Sequence, residues 1–398
     1  MDAAPTSDDP LVVLGAGYAG LTVAHEVHRR SKGAIPTVLV DRHPLHVLRT
    51  ELYQVGRLAT AAGDPARWTV PLARVLERTS VRTVQGTVSG IDLAARTVAV
   101  GPGSIRYRAL AICLGSVSAY YGVPGAAERT ESVYRLSAAQ HLAATLVRIE
   151  TASRALPGER RPRIVVIGGG STGTELAAEI ATTDWSKIVG EGARPPDVLL
   201  LAGALPFLAG LPPRLVAHAR EILRASGVAV VHGVNVTEVA DGRVHTEDGS
   251  VYACDAAVWC AGLEAPPVVR ELPVAHGKGG RLAVAPTLAL PGHPEAFAVG
   301  DVVEFRDPTT GLLVPGTAQA ALAEARTAAA NLVARWNGSP PEPFRYRERG
   351  VIVALGLGAA AGSLHQLTIW GSPAALLKRL VAREYARSVG RGEPPAIL

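Results

Sequence analysis

The chain has 398 residues, 48% hydrophobic and 19% charged, a composition typical of a folded globular protein with two or three domains. Three cysteines are too few for a disulfide framework, and no apolar run reaches the roughly 18 residues that a membrane-spanning helix needs. The formal net charge is +5, but the basic residues are scattered arginines outside any recognition module, so we expect no nucleic-acid partner.

A strand followed by a glycine turn opens the chain. The apolar run 11–14 precedes Gly15-Ala16-Gly17-Tyr18-Ala19-Gly20, and a helical pattern follows. Glycines let the backbone approach a pyrophosphate, and the next helix offers free N–H groups and the positive end of its dipole. About 20 residues later, Asp41 ends a second apolar strand, where a carboxylate accepts hydrogen bonds from an adenosine ribose. This segment therefore predicts a first dinucleotide site.

The next elements complete this first unit. Strands are expected around 81–88, 97–100 and 109–114, and the last of them ends at Gly115. The polar stretch 150–162 contains proline and glycine, and it predicts a linker.

A second glycine turn, Gly168-Gly169-Gly170-Ser171-Thr172-Gly173, follows the apolar run 164–167. It has the same strand–turn–helix context, so we expect a second dinucleotide on the same polypeptide. The next strand, 198–202, ends in Ala202 instead of an acid. No carboxylate would repel a 2′-phosphate there, and no arginine stands there to bind one. The choice between NADH and NADPH is therefore open.

From about residue 279 the chain is expected to return to the first domain. The run 296–301 is a strand that ends at Asp301, and 317–333 forms a long alanine-rich helix. A last helix, 373–388, has an apolar face and several basic residues elsewhere. Such a helix can lie on an anionic membrane, or it can pack against the body or a second subunit.

In this order, the motifs resemble the two-dinucleotide-binding-domain flavoproteins, the pyridine nucleotide-disulfide oxidoreductase superfamily. The chain is most similar to the type II NADH:quinone oxidoreductases. The residues that carry this resemblance are the first glycine turn with Leu21, the segments 46–55, 71–72 and 121–125, the stretch 171–177, and 258–262.

The resemblance implies an α/β fold with two Rossmann-like, three-layer domains, the second inserted in the first. An FAD-binding domain would span 8–150 and 279–335, and an NAD(P)H-binding domain would span 160–278. Residues 336–398 would form a small C-terminal region for dimerisation or membrane-surface contact.

The site residues fall into three groups. The residues expected to bind FAD are Gly15, Gly17, Tyr18, Ala19, Gly20, Asp41, Arg42, Gly115, Asp301, Ala318 and Gln319. The nicotinamide cofactor is assigned to Gly168, Gly170 and Gly173, with Glu175 near the nicotinamide. The catalytic residues are expected to be Glu175 and, on the acceptor side, Arg49, Gln319 and Glu324. Ala323 would help to shape the acceptor site.

Two departures from the family bear on the acceptor. The loop that carries a cysteine pair in the disulfide reductases has no cysteine here, which excludes a dithiol relay, and we expect three buried, inert thiols. Arg49 and Glu51 replace a less charged run, and Ala323 stands where a glutamine is usual. The hydride-donor half is therefore standard, and the acceptor half is altered.

We therefore predict an FAD-dependent oxidoreductase that takes a hydride from NAD(P)H and passes electrons to a quinone-like acceptor. Two alternatives stay open: a biosynthetic flavoenzyme that acts on a specialised metabolite, and a slow redox-sensing flavoprotein. His43 and His46 have no third ligand nearby, so no metal is expected. We expect a homodimer in the cytoplasm, with a peripheral position on the inner face of the cell membrane as an alternative.

Overall fold

The computed structural model describes residues 8–60, 64–154, 161–356, 358–364 and 367–395. Within these residues the chain forms two largely parallel β-sheets flanked by helices, together with several small antiparallel sheets. The α/β class predicted from the sequence is confirmed.

The first sheet has six strands. They lie in the order Ala289–Leu290, His293–Ala298, Ala109–Ile112, Leu11–Leu14, Thr37–Asp41 and Arg82–Gln85. The first pair is antiparallel and the others are parallel. The strand Leu11–Leu14 is fully buried, as expected for a parallel strand that is covered on both faces. The helices Tyr18–Ser31 and Ala318–Trp336 pack against each other beside this sheet.

The second sheet has four parallel strands. They lie in the order Val228–His232, Asp197–Ala202, Arg163–Ile167 and Ala256–Trp259. The helices Ser171–Thr182 and Pro213–Ala225 connect its strands. In the sequence, the second sheet and its helices lie between the strands Ala109–Ile112 and His293–Ala298, which are neighbours in the first sheet. The second unit is therefore inserted in the first, as the sequence predicts.

The helix Leu136–Arg154 corrects the predicted linker at 150–162. Its buried residues Leu142 and Leu146 pack with Leu176 and Ile180 of the second unit. That apolar face keeps the chain helical through Arg154, and residues 155–160 lie outside the described residues. A domain boundary at residue 150 stays a prediction, although this helix packs against the second unit.

Small sheets and short helices complete the two units. Three two-stranded sheets pair Leu45–Val47 with Thr69–Pro71, Val117–Ser118 with Leu263–Glu264, and Leu282–Ala283 with Val303–Glu304. One three-stranded sheet contains Val88–Asp92, Thr97–Val100 and Gly103–Arg106. Another contains Val236–Ala240, Arg243–Thr246 and Val251–Ala253. The short helices are Arg49–Glu51, Val55–Leu58, Pro65–Arg67, Leu72–Val75, Ala126–Arg129, Ser186–Val189, Pro267–Arg270, Lys278–Gly280 and Gly300–Val302.

The C-terminal region is a three-stranded antiparallel sheet followed by a helix. Its strands are Gly350–Ala354, Ala360–Leu364 and Leu367–Gly371, and its helix is Ser372–Gly390. Val353 packs into the core of the second unit, whereas Tyr385 and Val389 pack into the core of the first. The C-terminal region therefore bridges the two units. Among the described residues, no helix is both long and apolar enough to cross a membrane.

Candidate functional site

The first glycine turn has a different requirement at each glycine. Gly15 has φ +95°, and a Cβ there would run into the carbonyl of Cys113. A Cβ on Gly20 would run into the carbonyl of Gly15, so this glycine allows the helix to pack closely against the turn. No atom lies within 4 Å of the Cβ position of Gly17. The chain therefore leaves open space at the glycine where a pyrophosphate would approach.

The second glycine turn repeats this arrangement. Gly168 has φ +121° and faces the carbonyl of Cys260, and a Cβ on Gly173 would meet the carbonyl of Gly168. The Cβ position of Gly170 is open to 4 Å. Gly17 and Gly170 are the N-caps of their helices, and neither supplies a side chain to cap them. Both turns thus fit the phosphates of a dinucleotide.

Two aspartates lie at the carboxyl ends of strands of the first sheet. Asp41 accepts hydrogen bonds from the backbone N–H groups of Ala16 (2.7 Å) and His43 (2.8 Å), which places its carboxylate beside the glycine turn. Asp301 accepts a hydrogen bond of 2.8 Å from the Ser116 hydroxyl. Both carboxylates can accept further hydrogen bonds from the hydroxyl groups of a bound dinucleotide.

Arg42, Arg49 and Arg135 lie close enough together for their charges to interact. The pKa of Arg135 is lowered by burial and by the nearby charges of Arg42 and Arg49. A guanidinium nitrogen of Arg49 donates to the carbonyl of Ser116 at 3.5 Å, next to Gly115. Such a cluster fits a dianionic pyrophosphate. Arg42 and Arg49 are among the residues predicted from the sequence, whereas Arg135, which precedes the helix Leu136–Arg154, lies in no motif that would indicate it.

A cavity of about 190 Å³ lies where the helix Ala318–Trp336 begins. It is lined by Tyr18, Leu48, Thr50, Glu51, Ala318, Gln319, Arg349, Gly350, Ile352, Leu364, Lys378, Val381, Ala382 and Tyr385. Apolar side chains with a few convergent polar groups are typical of a small-molecule site. The positive end of the helix dipole points toward this place, because Ala318 is the first helical residue.

Gln319 lies in this cavity, as the acceptor hypothesis requires. With its amide turned to satisfy both neighbours, it donates to the carbonyl of Gly350 (3.2 Å) and accepts from the N–H of Arg349 (2.7 Å). These bonds attach the start of the helix to the C-terminal sheet. A role for Gln319 in catalysis stays a prediction.

A buried aromatic group closes one wall of the cavity. His46 Nδ1–H donates to the carbonyl of Ala16 at 2.9 Å, and Nε2 of the neutral ring accepts from the Tyr385 hydroxyl at 3.0 Å. The rings of Tyr18 and Tyr385 stack at 4.6 Å, and the Tyr18 hydroxyl lies 2.8 Å from Thr50 Oγ1. No local sequence pattern predicts this group, because His46 and Tyr385 are more than 300 residues apart.

Glu175 lies between the second unit and the C-terminal region. Its carboxylate accepts from Lys378 Nζ at 2.5 Å and from the N–H of Ala354 at 3.0 Å. The residue that pairs with Glu175 lies on the last helix, Ser372–Gly390. Whether Glu175 also reaches the nicotinamide stays a prediction.

Three other predicted acceptor residues lie away from the lining of the cavity. Arg49 extends toward Ser116, and Ala323 packs against the core of the first unit. Glu324 is buried and accepts a hydrogen bond of 2.6 Å from the N–H of Gly300. Burial raises the pKa of Glu324 to about 8. Glu324 therefore supports the turn that carries Asp301 and does not face the cavity.

Two of the three cysteines are buried as predicted, and the third is not. Cys113 and Cys260 are buried, Cys254 is half-buried, and all three are free. Burial raises the pKa of Cys254 to about 11 and that of Cys260 to about 12, and it raises the pKa of Cys113 further. Such thiols carry almost no thiolate at neutral pH. Among the described residues, no group of three or more His, Cys, Asp or Glu side chains could hold a metal ion.

Comparison with known proteins identifies relatives over most of the chain. A type II NADH:quinone oxidoreductase of Mycobacterium tuberculosis is 29% identical over 389 residues, covering 90% of this chain and 81% of the relative. An NADH dehydrogenase-like protein of the same species is 32% identical over 311 residues, covering 74% and 73%. A demethylphylloquinone reductase of Synechocystis is 28% identical over 384 residues, covering 93% and 90%.

The fold has close relatives among solved structures. The structure of NDH2 from Plasmodium falciparum in complex with NADH superposes with a TM-score of 0.80 at 13% identity and covers 96% of each chain. The family model for pyridine nucleotide-disulphide oxidoreductases matches residues 9–325. That match includes both glycine turns, Asp41 and Asp301, and it confirms the family predicted from the sequence. The chain belongs to the pyridine nucleotide-disulphide oxidoreductase family.

Proposed function

We propose that the chain is a flavoenzyme that oxidises NADH or NADPH through FAD and passes the electrons to a quinone. The observation that carries this proposal is the pair of glycine turns, with open space at Gly17 in the first and at Gly170 in the second, in a chain with a cavity at the start of the helix Ala318–Trp336. The names of the relatives, NADH:quinone oxidoreductase and demethylphylloquinone reductase, support the same activity.

In this proposal the first unit holds FAD, which supplies the two-electron redox chemistry when bound. Gly17 and the start of the helix Tyr18–Ser31 would contact its pyrophosphate, and Asp41 and Asp301 would accept hydrogen bonds from its hydroxyl groups. The start of the helix Ala318–Trp336 would stabilise negative charge on the reduced ring system through its dipole. Gly170 would give the nicotinamide cofactor the same close approach in the second unit.

Flavin reduction under anaerobic conditions tests this function. The flavin-loaded protein is mixed with NADH and, separately, with NADPH, and the loss of flavin absorbance near 450 nm is followed over time. A short-chain quinone is then added to the reduced protein. We expect NADH to bleach the flavin fast. Because Ala202 leaves no carboxylate to repel a 2′-phosphate, we expect NADPH to bleach it at a rate within roughly tenfold of the rate with NADH. Absence of bleaching with either cofactor would contradict the proposal.

We also propose that the last helix lies on a membrane surface. Its exposed face carries Leu376 (51% exposed) and Leu380 (45%) between the exposed arginines Arg379, Arg383 and Arg387. Trp370, 49% exposed, lies on the strand that leads into the helix. Apolar side chains flanked by cations suit a surface of anionic lipids. A homodimer formed through the same face is the competing arrangement.

A further inference from the structure

In the described part of the chain, the cavity at the start of the helix Ala318–Trp336 has one carboxylic acid in its lining, Glu51. The other ionisable groups that line it are Tyr18, Tyr385, Lys378 and Arg349. Burial raises the pKa of Tyr18 to about 12 and raises that of Tyr385 well above its ordinary value. Neither tyrosine therefore gives up a proton readily near neutral pH.

Glu51 is held in place and remains accessible to water. It ends the short helix Arg49–Glu51, its side chain is half-buried, and its Oε2 accepts a hydrogen bond from the amide of Gln54. Burial raises the pKa of Glu51 to about 7. The charges of Lys378 and Arg57 lower this pKa, and the charge of Glu175 raises it. Glu51 is thus divided between its acid and carboxylate forms at neutral pH.

The proposed reaction needs one proton from solution. Reduction of a quinone to a quinol adds two electrons and two protons, whereas the hydride taken from NADH carries two electrons and one proton. The second proton must therefore come from water. A positioned side chain that transfers such a proton accelerates reactions by roughly 10²–10⁴-fold.

We propose that Glu51 delivers this proton to a carbonyl oxygen of the quinone bound in the cavity. The O–H bond of the carboxyl group breaks, and a new O–H bond forms on the quinone oxygen. The carboxylate that remains is stabilised by Lys378 and Gln54, and it takes a proton from water before the next turnover. This inference rests on the proposed function, because it assigns the proton donor for the same site.

Two electron acceptors separate the proton step from the rest of the reaction. Ferricyanide accepts single electrons without a proton, whereas a short-chain benzoquinone needs the proton that Glu51 would provide. We expect Glu51→Gln to lower kcat with the benzoquinone about 100-fold and to leave kcat with ferricyanide within twofold. Flavin content, measured by absorbance, confirms that the variant is loaded like the wild type.

The pH profile gives a second readout. With the benzoquinone, we expect wild-type kcat to be constant below pH 7 and to fall about tenfold per pH unit well above it, since the protonated form is the donor. Glu51→Asp should keep this descending limb, and Glu51→Gln should lose it. Glu179→Gln is the matched control: burial also raises the pKa of Glu179 to about 7, but Glu179 does not line the cavity. It should keep both the rate and the limb.

Each contrary result has a definite meaning. If Glu51→Gln lowers kcat equally with both acceptors, Glu51 has a structural role. If Glu51→Gln leaves kcat with the benzoquinone unchanged, Glu51 does not deliver the proton. A descending limb that disappears in Glu179→Gln instead would assign the proton to Glu179. Each of these results overturns the inference but leaves the proposed function intact. A wild-type enzyme that reduces ferricyanide but no quinone would overturn the proposed function itself, and this inference with it.

Discussion

Lys378 Nζ lies 2.5 Å from Glu175 Oε1, and this ion pair joins the last helix of the chain to the helix that follows the second glycine turn. Both side chains are largely buried, with 19% of the lysine and 10% of the glutamate exposed. Lys378 Nζ also donates to the carbonyl of Ile352 at 3.2 Å. The pair therefore fixes the C-terminal region against the second unit at one wall of the cavity.

Removing the lysine should destabilise the protein strongly. Lys378→Met leaves the Glu175 carboxylate with the N–H of Ala354 as its remaining hydrogen-bond donor in the described structure, and an uncompensated buried charge costs about 3 kcal/mol. We expect a clear drop in Tm in a thermal scan of the flavin-loaded protein. The double variant Glu175→Gln/Lys378→Met should recover much of the loss, and Arg379→Met, at an exposed position of the same helix, should leave Tm nearly unchanged. Equal Tm values for Lys378→Met and Arg379→Met would contradict the buried-charge argument.

Matched glycine variants test the two dinucleotide sites separately. Because the Cβ positions of Gly17 and Gly170 are open, alanine at either position should leave the fold intact and obstruct only a closely approaching phosphate. We expect Gly17→Ala to lower the FAD content of the purified protein several-fold. Gly170→Ala should keep FAD and raise the KM for NADH about tenfold.

The last glycine of each turn provides the contrast. A Cβ on Gly20 or Gly173 would overlap backbone, so Gly20→Ala and Gly173→Ala should lower the yield of soluble protein and its Tm. If Gly17→Ala and Gly20→Ala behave alike, the separation between phosphate approach and helix packing is wrong.

How far the sequence predicts this molecule depends on the distance between the residues that act together. The glycine turns and Asp41 follow from local patterns, because strand, turn and helix are consecutive in the chain. The insertion of the second unit follows from the order of the motifs, which resembles that of a known family. The pairs His46–Tyr385 and Glu175–Lys378 join residues that are more than 200 positions apart, and no local pattern indicates them. The sequence predicts Arg49 and Glu324 at the acceptor site. The orientation of their side chains instead depends on hydrogen bonds with the backbone of Ser116 and Gly300, which are distant in the sequence.

The buried histidine predicts a pH-dependent contribution to stability. Burial lowers the pKa of His46 from 6.5 to about 4, so the unfolded chain binds a proton between these pH values that the folded protein does not. The contribution of His46 to the free energy of unfolding is therefore complete above pH 6.5. About 3 kcal/mol of this contribution is lost as the pH falls to 4. We expect the gap in Tm between wild type and His46→Gln to be widest at pH 7 and to narrow toward pH 4.

The comparison at each pH is needed because other groups titrate in the same range. His25, whose pKa burial also lowers to about 4, contributes with the same sign. Burial raises the pKa of Glu150 and Glu179 to about 7, so they contribute with the opposite sign. All three are present in both proteins and cancel in the difference. Tyr385→Phe keeps His46 and should keep the wild-type trend, and a gap that does not change with pH would refute the assignment.

The exposed face of the last helix predicts binding to anionic membranes. Moving two half-exposed leucines from water into the lipid interface contributes roughly 1 kcal/mol each, so Leu376→Gln/Leu380→Gln should weaken binding at least tenfold. Binding is measured by flotation with vesicles of anionic phospholipid and, as a comparison, with zwitterionic vesicles. The control, Leu312→Gln/Leu313→Gln, removes two leucines that are 70% and 49% exposed in a different segment of the chain and should bind as the wild type does. If the wild type does not bind vesicles, and sedimentation velocity shows a dimer that Leu376→Gln/Leu380→Gln dissociates, this face is a subunit interface instead.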